Sequence, residues 1–571
     1  MLSSTTLSAI ETWFKRKTGQ DVVLVAVVLI FFAGMLPLAS TRVVDSMNFE
    51  RYYTDAAVSM LQTNDFVTPR TGTGGLRLHK PLLIYWILIG SYKLFGISFF
   101  ATRIWFLAAA CATIWLAYSI ALKLSDDVRT ARTAALILLS NVLLITVSAR
   151  ATQDILTTLF LLISAYGFIR LIFFNDTDAV AYWSAYGGAA LGVATKGLLP
   201  VLFVIYALVF AYVTSSPGQP FRRVLHPGVI LASILISCSG FLLLFWKHGT
   251  LVFQSFWADQ LGAKTGFASG PLRVGAYFLT YLPFFLPWLL CFAYLFYYGK
   301  PEKPLTDTQR RTCRFILIWA VLLPIVFGLG DRIQDRYLMP AVPLLAVAMA
   351  IALCRFSNSS IASVANPLLH IVTVGFFAIA IFGSCVLWQN GLLTKHFSGF
   401  TIIFLAFLLL ALRWQRKQFS SQAVLSIALF LFLPLCLAIL SPFTLPDQTM
   451  QIARALRQLN PETQPVFVVG KNKVASRLRI SNGGAYPVNQ IKPSDLSKVY
   501  PGRGKSIVIF TEGDARSLSI DRLQLKEVAA YPIRVSLRDL FRATMKGDAK
   551  NYIESRKKHC YAMLPKTEGD R

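Results

Sequence analysis

Apolar runs of about 17–25 residues recur from Val22 to Leu440, each long enough to cross a hydrocarbon layer of about 30 Å. A segment in lipid has to satisfy its own backbone hydrogen bonds, so runs of this length commit the chain to membrane helices. Composition agrees: 55% of the 571 residues are hydrophobic and 15% charged, against roughly 45–50% and 25% in soluble chains. The expected class is an α-helical polytopic membrane protein.

Spanning candidates are 22–39, 100–122, 133–148, 153–173, 180–196, 197–214, 227–246, 273–298, 314–329, 337–354, 363–388, 399–412 and 422–441. Residues 81–97 are apolar too, but as a crossing they spoil the charge pattern downstream. Read as an interfacial or re-entrant helix, they leave about thirteen crossings, with the basic loops on one side. Those loops carry Lys123, Arg129 and Arg132; Arg222 and Arg223; Lys300, Lys303, Arg310, Arg311 and Arg314; and Arg413, Arg416 and Lys417. The first run follows Lys15-Arg16-Lys17 and lacks a convincing cleavage site after Ser40, so it reads as an uncleaved span with a cytoplasmic N-terminus.

The formal charge of +28 could suggest nucleic acid. Its placement in short connections and in the tail instead fits membrane orientation and attraction to anionic lipids, and no nucleic-acid partner is expected. The eight cysteines are scattered singly, without CxxC or metal-like spacing, and read as small core hydrophobes.

From about Asp447 the pattern changes. VFVVGKN (466–472) and SIVIFTEGD (506–514) are short β-branched runs alternating with helical stretches such as Thr449–Gln458. The expected division is a transmembrane domain over 1–446, with its reactive first outside loop at about 40–97, and a small α/β domain over 447–571. The tail is rich in Lys and Arg and has no acid–base constellation of its own, so it reads as a surface for anionic partners or as a stabilising element.

The face opposite the basic loops receives Asp45–Pro81, the Arg150–Asp154 turn, the Thr195–Gly197 turn, Lys247–Gly270, Gly328–Arg336 and the C-terminus. Nearly every charge that is not a topology signal gathers there. Ionisable residues at membrane depth are costly and mark substrate paths or reaction centres. Gly72-x-Gly74-Gly75 follows no buried strand and opens no Rossmann-type helix, so it is a flexible turn.

Within this face Glu50, Tyr53, Met60-Leu61, Asn64-Asp65-Phe66, Pro69 and Lys80-Pro81 come in order. Arg150-x-x-x-Asp154, Thr195-Lys196-Gly197, FWADQ (256–260) and Arg336-Tyr337-Leu338-Met339-Pro340 follow. Over roughly 20 to 345 the set resembles the GT-C glycosyltransferases, in particular the bacterial branch of lipid A aminoarabinose transferases and protein-mannosyltransferase-like enzymes. The resemblance implies a GT-C membrane domain in a bacterial inner membrane, with the C-terminal domain in the periplasm. It also implies an enzyme that takes a sugar from a polyprenyl phosphate and passes it to an acceptor on the periplasmic face, lipid A or a related glycolipid.

That chemistry needs a carboxylate for the acceptor hydroxyl and cations for the lipid-phosphate leaving group. Glu50 is the first candidate for the carboxylate. The family often has Asp-Glu where this chain has Phe49-Glu50, and Asp45 is the alternative. Asp154 is a substrate-orienting carboxylate or the partner of Arg150. Lys80, Lys196 and Arg336 are the expected phosphate ligands, with Arg51 weaker, against a plain snorkelling role. Asp55 can pair with Arg51 one turn away. Tyr53, Tyr85, Trp257 and Asp259 are candidates to line the sugar or acceptor site, the aromatics equally fitting an interfacial belt.

Aminoarabinose transferases commonly have a glutamate before the Lys-Pro and a histidine after the acid of the FW-x-acid motif. Here the positions hold His79 and Gln260. His79 and Asp259 are weak candidates for a divalent metal, but two ligands alone do not make a site, so no cofactor is required, and the substitution weakens the specific aminoarabinose assignment. Alternatives within the chemistry are a protein O-glycosyltransferase or a ligase of lipid-linked oligosaccharide. A lipid or sugar transporter is the rival class, although transporters place charge near the midplane of repeated halves.

Overall fold

The computed structural model describes residues 21–40, 50–215, 220–259, 270–328 and 334–356 without interruption, and shorter stretches of 360–563. The first helix, α1 (Val22–Ser40), carries no charge. The polar break after it folds into α2 (Arg51–Thr63), stopped by Asn64 in the left-handed conformation, and α3 (Leu83–Phe95). Thirteen residues make α3 too short to span a bilayer at 1.5 Å per residue.

Ser98, Asp127 and Asn141 then start α4 (Phe99–Ser125), α5 (Val128–Leu139) and α6 (Val142–Ser148), each accepting a hydrogen bond from a first-turn backbone N–H. Next come α7 (Gln153–Phe173), α8 (Ala179–Tyr182), a π turn (Trp183–Gly187) and α9 (Gly188–Lys196). They are followed by α10 (Leu199–Val213), α11 (Pro227–His248), α12 (Leu251–Trp257), α13 (Gly270–Tyr298) and α14 (Asp307–Gly328). A 3₁₀ turn (Asp335–Ala341) leads into α15 (Val342–Leu353).

Among the described residues six helices are long and apolar enough to cross a membrane, and up to eight if each of two bent pairs is one span. One bent pair is α5 and α6, which meet at 62°; the sequence reads them as a single span, 133–148. The break falls where the Asn141 side chain caps the second helix. Of the sequence-derived crossings, 363–388, 399–412 and 422–441 fall largely outside the described residues.

The helices join two charged ends. At one, Arg132 pairs with Asp21, Lys123 with Asp176, and Arg170 with Asp176 and Asp178. At the other, the first loop meets the turns before α7, after α9 and around α12, and this end holds the candidate site.

The scaffold there depends on backbone-to-backbone packing of α7 against the π turn. A Cβ on Gly167 would lie 2.1 Å from the Ala185 nitrogen, and one on Gly188 2.8 Å from that of Ser164. Small residues allow this approach where no hydrophobic effect draws helices together in lipid. Gly167→Ala is therefore expected to cost about 1–3 kcal/mol through overpacking, read as a lower unfolding temperature in detergent.

The tail is a separate layer. Its sheet has the order β2-β1-β3-β5-β4, built from β1 (Val466–Val469), β2 (Val488–Ile491), β3 (Ile507–Thr511), β4 (Lys526–Pro532) and β5 (Lys557–Met563). β1 runs parallel to β2 and β3, whereas β5 runs antiparallel to β3 and β4. Helices α16 (Thr449–Leu459) and α17 (Val474–Ser481) contribute Ile452, Leu456 and Leu478 to the core of this layer.

Candidate active site

The first loop is held by a fully buried ion pair. Glu50, just before α2, receives Arg103 Nε on Oε1 and Nη2 on Oε2, both at 2.8 Å, and neither side chain has any exposure. The Ala151 N–H donates to Oε1 at 2.9 Å. Burial alone would raise the Glu50 pKa, but the Arg103 charge and hydrogen bonds outweigh it and hold the carboxyl below its usual range. Both oxygens are thus committed, and the carboxylate ties the loop to α4 and to the turn before α7. This geometry argues against the reading of Glu50 as the acceptor-side base. Asp45, the alternative, lies outside the described residues.

The carboxylate at the centre of the site is Asp154, in the first turn of α7 and 3% exposed. Lys196, the last residue of α9, donates to Oδ1 at 2.6 Å, and Arg336 Nη1 stands 3.7 Å from Oδ2. Gln153 donates to the Thr195 carbonyl at 2.6 Å, so two turns far apart in sequence are tied at their tips. Lys196 Nζ also sits 4.9 Å over the Tyr337 ring. Arg150, the alternative partner for Asp154, is buried and feels the charges of Glu50 and Asp335.

A second basic group lies beside the first. Arg77 donates to the Tyr85 hydroxyl at 3.0 Å and stacks over the rings of Tyr52 and Tyr53 at 4.7 and 5.2 Å. Tyr53 feels the charges of both Arg77 and Asp154, so the two groups are neighbours; burial pushes its phenol well up, leaving a neutral hydroxyl. Lys80 donates to Asp259 at 2.6 Å. Burial first, then the Arg77 charge, outweigh the Asp259 carboxylate and push the His79 imidazole down to about 4, so it is neutral near pH 7.

The loop behind these residues is pinned to α11. Asp65 accepts from Lys247 Nζ at 2.7 Å and caps the N–H groups of Val67 and Thr68, while Thr68 meets His248 at 3.0 Å.

Of the residues singled out from sequence, Asp154 joins Lys196 and Arg336, Tyr53 packs against Tyr85 beside Arg77, and Lys80 pairs with Asp259. Arg51 bonds to the Tyr52 hydroxyl at 3.0 Å, at the margin. Trp257 is 65% exposed at the end of α12, as a belt residue would be. Asp55 does not pair with Arg51; its partner is Arg479. Gln260 lies outside the described residues. Asp259 is engaged by Lys80, and among the described residues no group of three or more His, Cys, Asp and Glu could hold a metal.

Arg77 and Arg103 were not anticipated. Arg77 is one more basic residue in the same loop, three before Lys80. Arg103 is an ionisable residue inside an apolar run, the signal that marks a functional or structural charge in a membrane.

Comparison with known proteins bears on the fold and the family. Residues 79–246 match the family described as dolichyl-phosphate-mannose-protein mannosyltransferase. An uncharacterized protein of Aquifex aeolicus is 28% identical over 311 residues, 54% of this chain and 59% of that protein. Two proteins named undecaprenyl phosphate-alpha-4-amino-4-deoxy-L-arabinose arabinosyl transferase also match. That of Serratia proteamaculans is 24% identical over 357 residues, 61% of each chain; that of Pectobacterium atrosepticum is 23% identical over 496, covering 83% and 84%. The chain thus spans about three-fifths of the length of the first two relatives. Among solved structures, apo ArnT from Cupriavidus metallidurans superposes with a TM-score of 0.69 at 17% identity, covering 96% of this chain and 98% of that one.

Proposed function

We infer that this chain, which belongs to the GT-C-fold family of bacterial aminoarabinose transferases and protein-mannosyltransferase-like membrane proteins, is an integral membrane glycosyltransferase. It moves a sugar from a polyprenyl phosphate to lipid A or a related envelope glycolipid on the periplasmic face of a bacterial inner membrane. The observation that carries this reading is the buried Asp154 carboxylate held by Lys196 and Arg336, with the basic group of Arg77 and Lys80 beside it. Cations outnumber carboxylates there, which suits an anionic ligand. The Cupriavidus ArnT solved with bound undecaprenyl phosphate holds a ligand of the same class.

In the proposed reaction the acceptor hydroxyl attacks the anomeric carbon as the bond from that carbon to the phosphate oxygen breaks. The bonding pair leaves with the phosphate, where Lys80, Lys196 and Arg336 stabilise the growing charge. The hydroxyl proton passes to Asp154. Its Oδ2 stands 3.7 Å from Arg336, beyond direct hydrogen-bond reach, and the Thr152 side chain also hydrogen-bonds the carboxylate. A phosphate that takes over Lys196 also releases Oδ1 from its 2.6 Å bond. Tyr53 and Tyr85 are placed to contact the sugar.

A cleft of about 430 Å³ between α3, α4 and α7 gives a hydrocarbon chain a place beside this chemistry. Trp86, Ser91, Trp105, Ala112, Leu156 and Leu159 help to line it. Trp86 follows Tyr85, and Leu156 lies two residues past Asp154.

The test is mass spectrometry of lipid A and other glycolipids from cells with and without the gene. Loss of one sugar-sized mass in the deletion supports the reading. An unchanged glycolipid profile with loss of a glycan from envelope proteins moves the acceptor to protein, a reading the mannosyltransferase family match favours. No change in either removes the transferase reading and leaves transport.

A further inference from the structure

The C-terminal domain reaches back to the first loop through a buried polar joint. Asp55 sits on α2, the helix that carries Tyr52 and Tyr53, and is 6% exposed. Its partners come from α17. Arg479 Nη1 stands 2.8 Å from Oδ1, and the Ser476 hydroxyl donates to Oδ2 at 2.7 Å. Arg479 also donates through Nη2 to the Gly72 carbonyl at 2.7 Å and through Nε to the Val488 carbonyl at 2.6 Å. One guanidinium therefore holds the tail sheet, α2 and the turn that leads into Arg77 and Lys80.

The turn is shaped for this contact. A Cβ on Gly72 would lie 2.5 Å from Arg479 Nη1 and 2.6 Å from Asp55 Oδ2. Thr71 N–H and the Gly75 carbonyl close the turn at 2.7 Å, and Arg70 bridges Leu76.

A second contact runs in parallel. Ile480 of α17 is buried with Phe99, and the Arg103 guanidinium stands 5.2 Å over that ring. The same tail helix thus backs the arginine that fixes Glu50.

A buried ion pair is a poor source of stability, because desolvation offsets its attraction; the directional bonds of this joint run from Ser476 to Asp55 and from Arg479 to the Gly72 and Val488 carbonyls. A domain that was only tethered would leave Asp55 and Arg479 in water. We propose that the C-terminal domain is a positioning element for the transfer reaction. Arg479 is its positioning residue, setting α2 and the 71–76 turn so that Tyr53, Arg77 and Lys80 face Asp154. This rests on the transferase reading above.

The test uses the full-length protein in lipid nanodiscs, as wild type, Arg479→Ala, Arg479→Lys and Ser476→Ala. Hydrogen exchange is followed over 51–63 and 71–80, with 153–173 as the internal reference, and kcat and KM are measured for sugar transfer. Arg479→Ala is expected to raise exchange in the two loop segments only. A displacement of about 1 Å at a reacting group can cost on the order of a hundredfold, so kcat should fall roughly ten- to hundredfold. Lysine should restore part of both effects, and Ser476→Ala should shift exchange slightly with kcat near wild type.

Wild-type exchange in Arg479→Ala, or raised exchange with wild-type kcat, would overturn the proposal. So would raised exchange spreading into 153–173 in Arg479→Lys and Ser476→Ala as well, because the joint would then serve global stability. If the wild-type protein transfers no sugar, the transferase reading and the positioning role fail together, and the exchange data still decide whether the joint orders the loop.

Discussion

Arg103→Ala is expected to destabilise the protein by about 3–5 kcal/mol, because it strands the Glu50 carboxylate in a site with no exposure. The remaining donor to Glu50, the Ala151 N–H, cannot replace a bidentate guanidinium. Glu50→Gln should cost less, since it leaves Arg103 with a neutral acceptor. Replacing both residues together with leucine or methionine should recover much of the loss, as buried pairs exchanged for apolar residues of similar volume often do.

The pH dependence has a definite sign. The folded-state pKa of Glu50 is lowered, so the pair's contribution is fully present above the unfolded value of about 4.3. It is lost as pH falls through the folded value. Between pH 5 and 8 the contribution is flat, and Glu50→Gln should remove this pair's share of the acid limb while other carboxylates such as Asp65 keep theirs. Thermal unfolding in detergent across pH measures both effects. An Arg103→Ala protein as stable as wild type would mean that Glu50 reaches water, and would return it to the list of candidate bases.

The sequence does not reveal the buried partners of Glu50, for a physical reason. Chain position reveals that an acid lies at a membrane face, but it does not reveal the partner. Arg103 is 53 residues away and Ala151 is 101 away. Asp55 shows the same limit: helical spacing offers Arg51, while the contacts formed lie on α17, with Ser476 421 positions on. Lys80, Asp154, Lys196 and Arg336 were legible because membrane topology supplies the missing dimension. Once the basic loops assign one face, turns far apart in sequence share the other. Topology says which end a residue occupies and stops there, so it grouped Trp257 with the site although that ring faces outward.

The fold class followed from hydrophobic length alone, since lipid leaves few alternatives. The breaks inside runs were harder. A polar pair, Ser140-Asn141, divides an apolar stretch because Asn141 offers a cap to Leu144, and a hydropathy window averages two residues away. The π turn at Trp183–Gly187 has no hydropathy signature either. It packs closely against Gly167, a tertiary contact that hydropathy does not register.

Asp154→Asn is expected to lower kcat for sugar transfer by roughly 10²–10⁴-fold, the range associated with a positioned general acid or base. Asparagine keeps the shape and can still accept from Lys196, but it cannot take the hydroxyl proton. Lys196→Ala should behave differently. It removes a cation that faces both Asp154 and the proposed phosphate position, so donor binding should weaken along with kcat. The Asp154→Asn protein should instead bind donor at least as well as wild type, because a neutral amide competes less for the 2.6 Å bond from Lys196. Single-turnover kinetics with the donor and acceptor identified by glycolipid mass spectrometry separate the two steps. Near wild-type turnover in Asp154→Asn would move the proton to another acceptor, with Asp259 next in line once Lys80 turns to the phosphate. Loss of donor binding in both variants would make the Asp154–Lys196 pair a scaffold for the phosphate site and leave proton transfer to the acceptor's own surroundings.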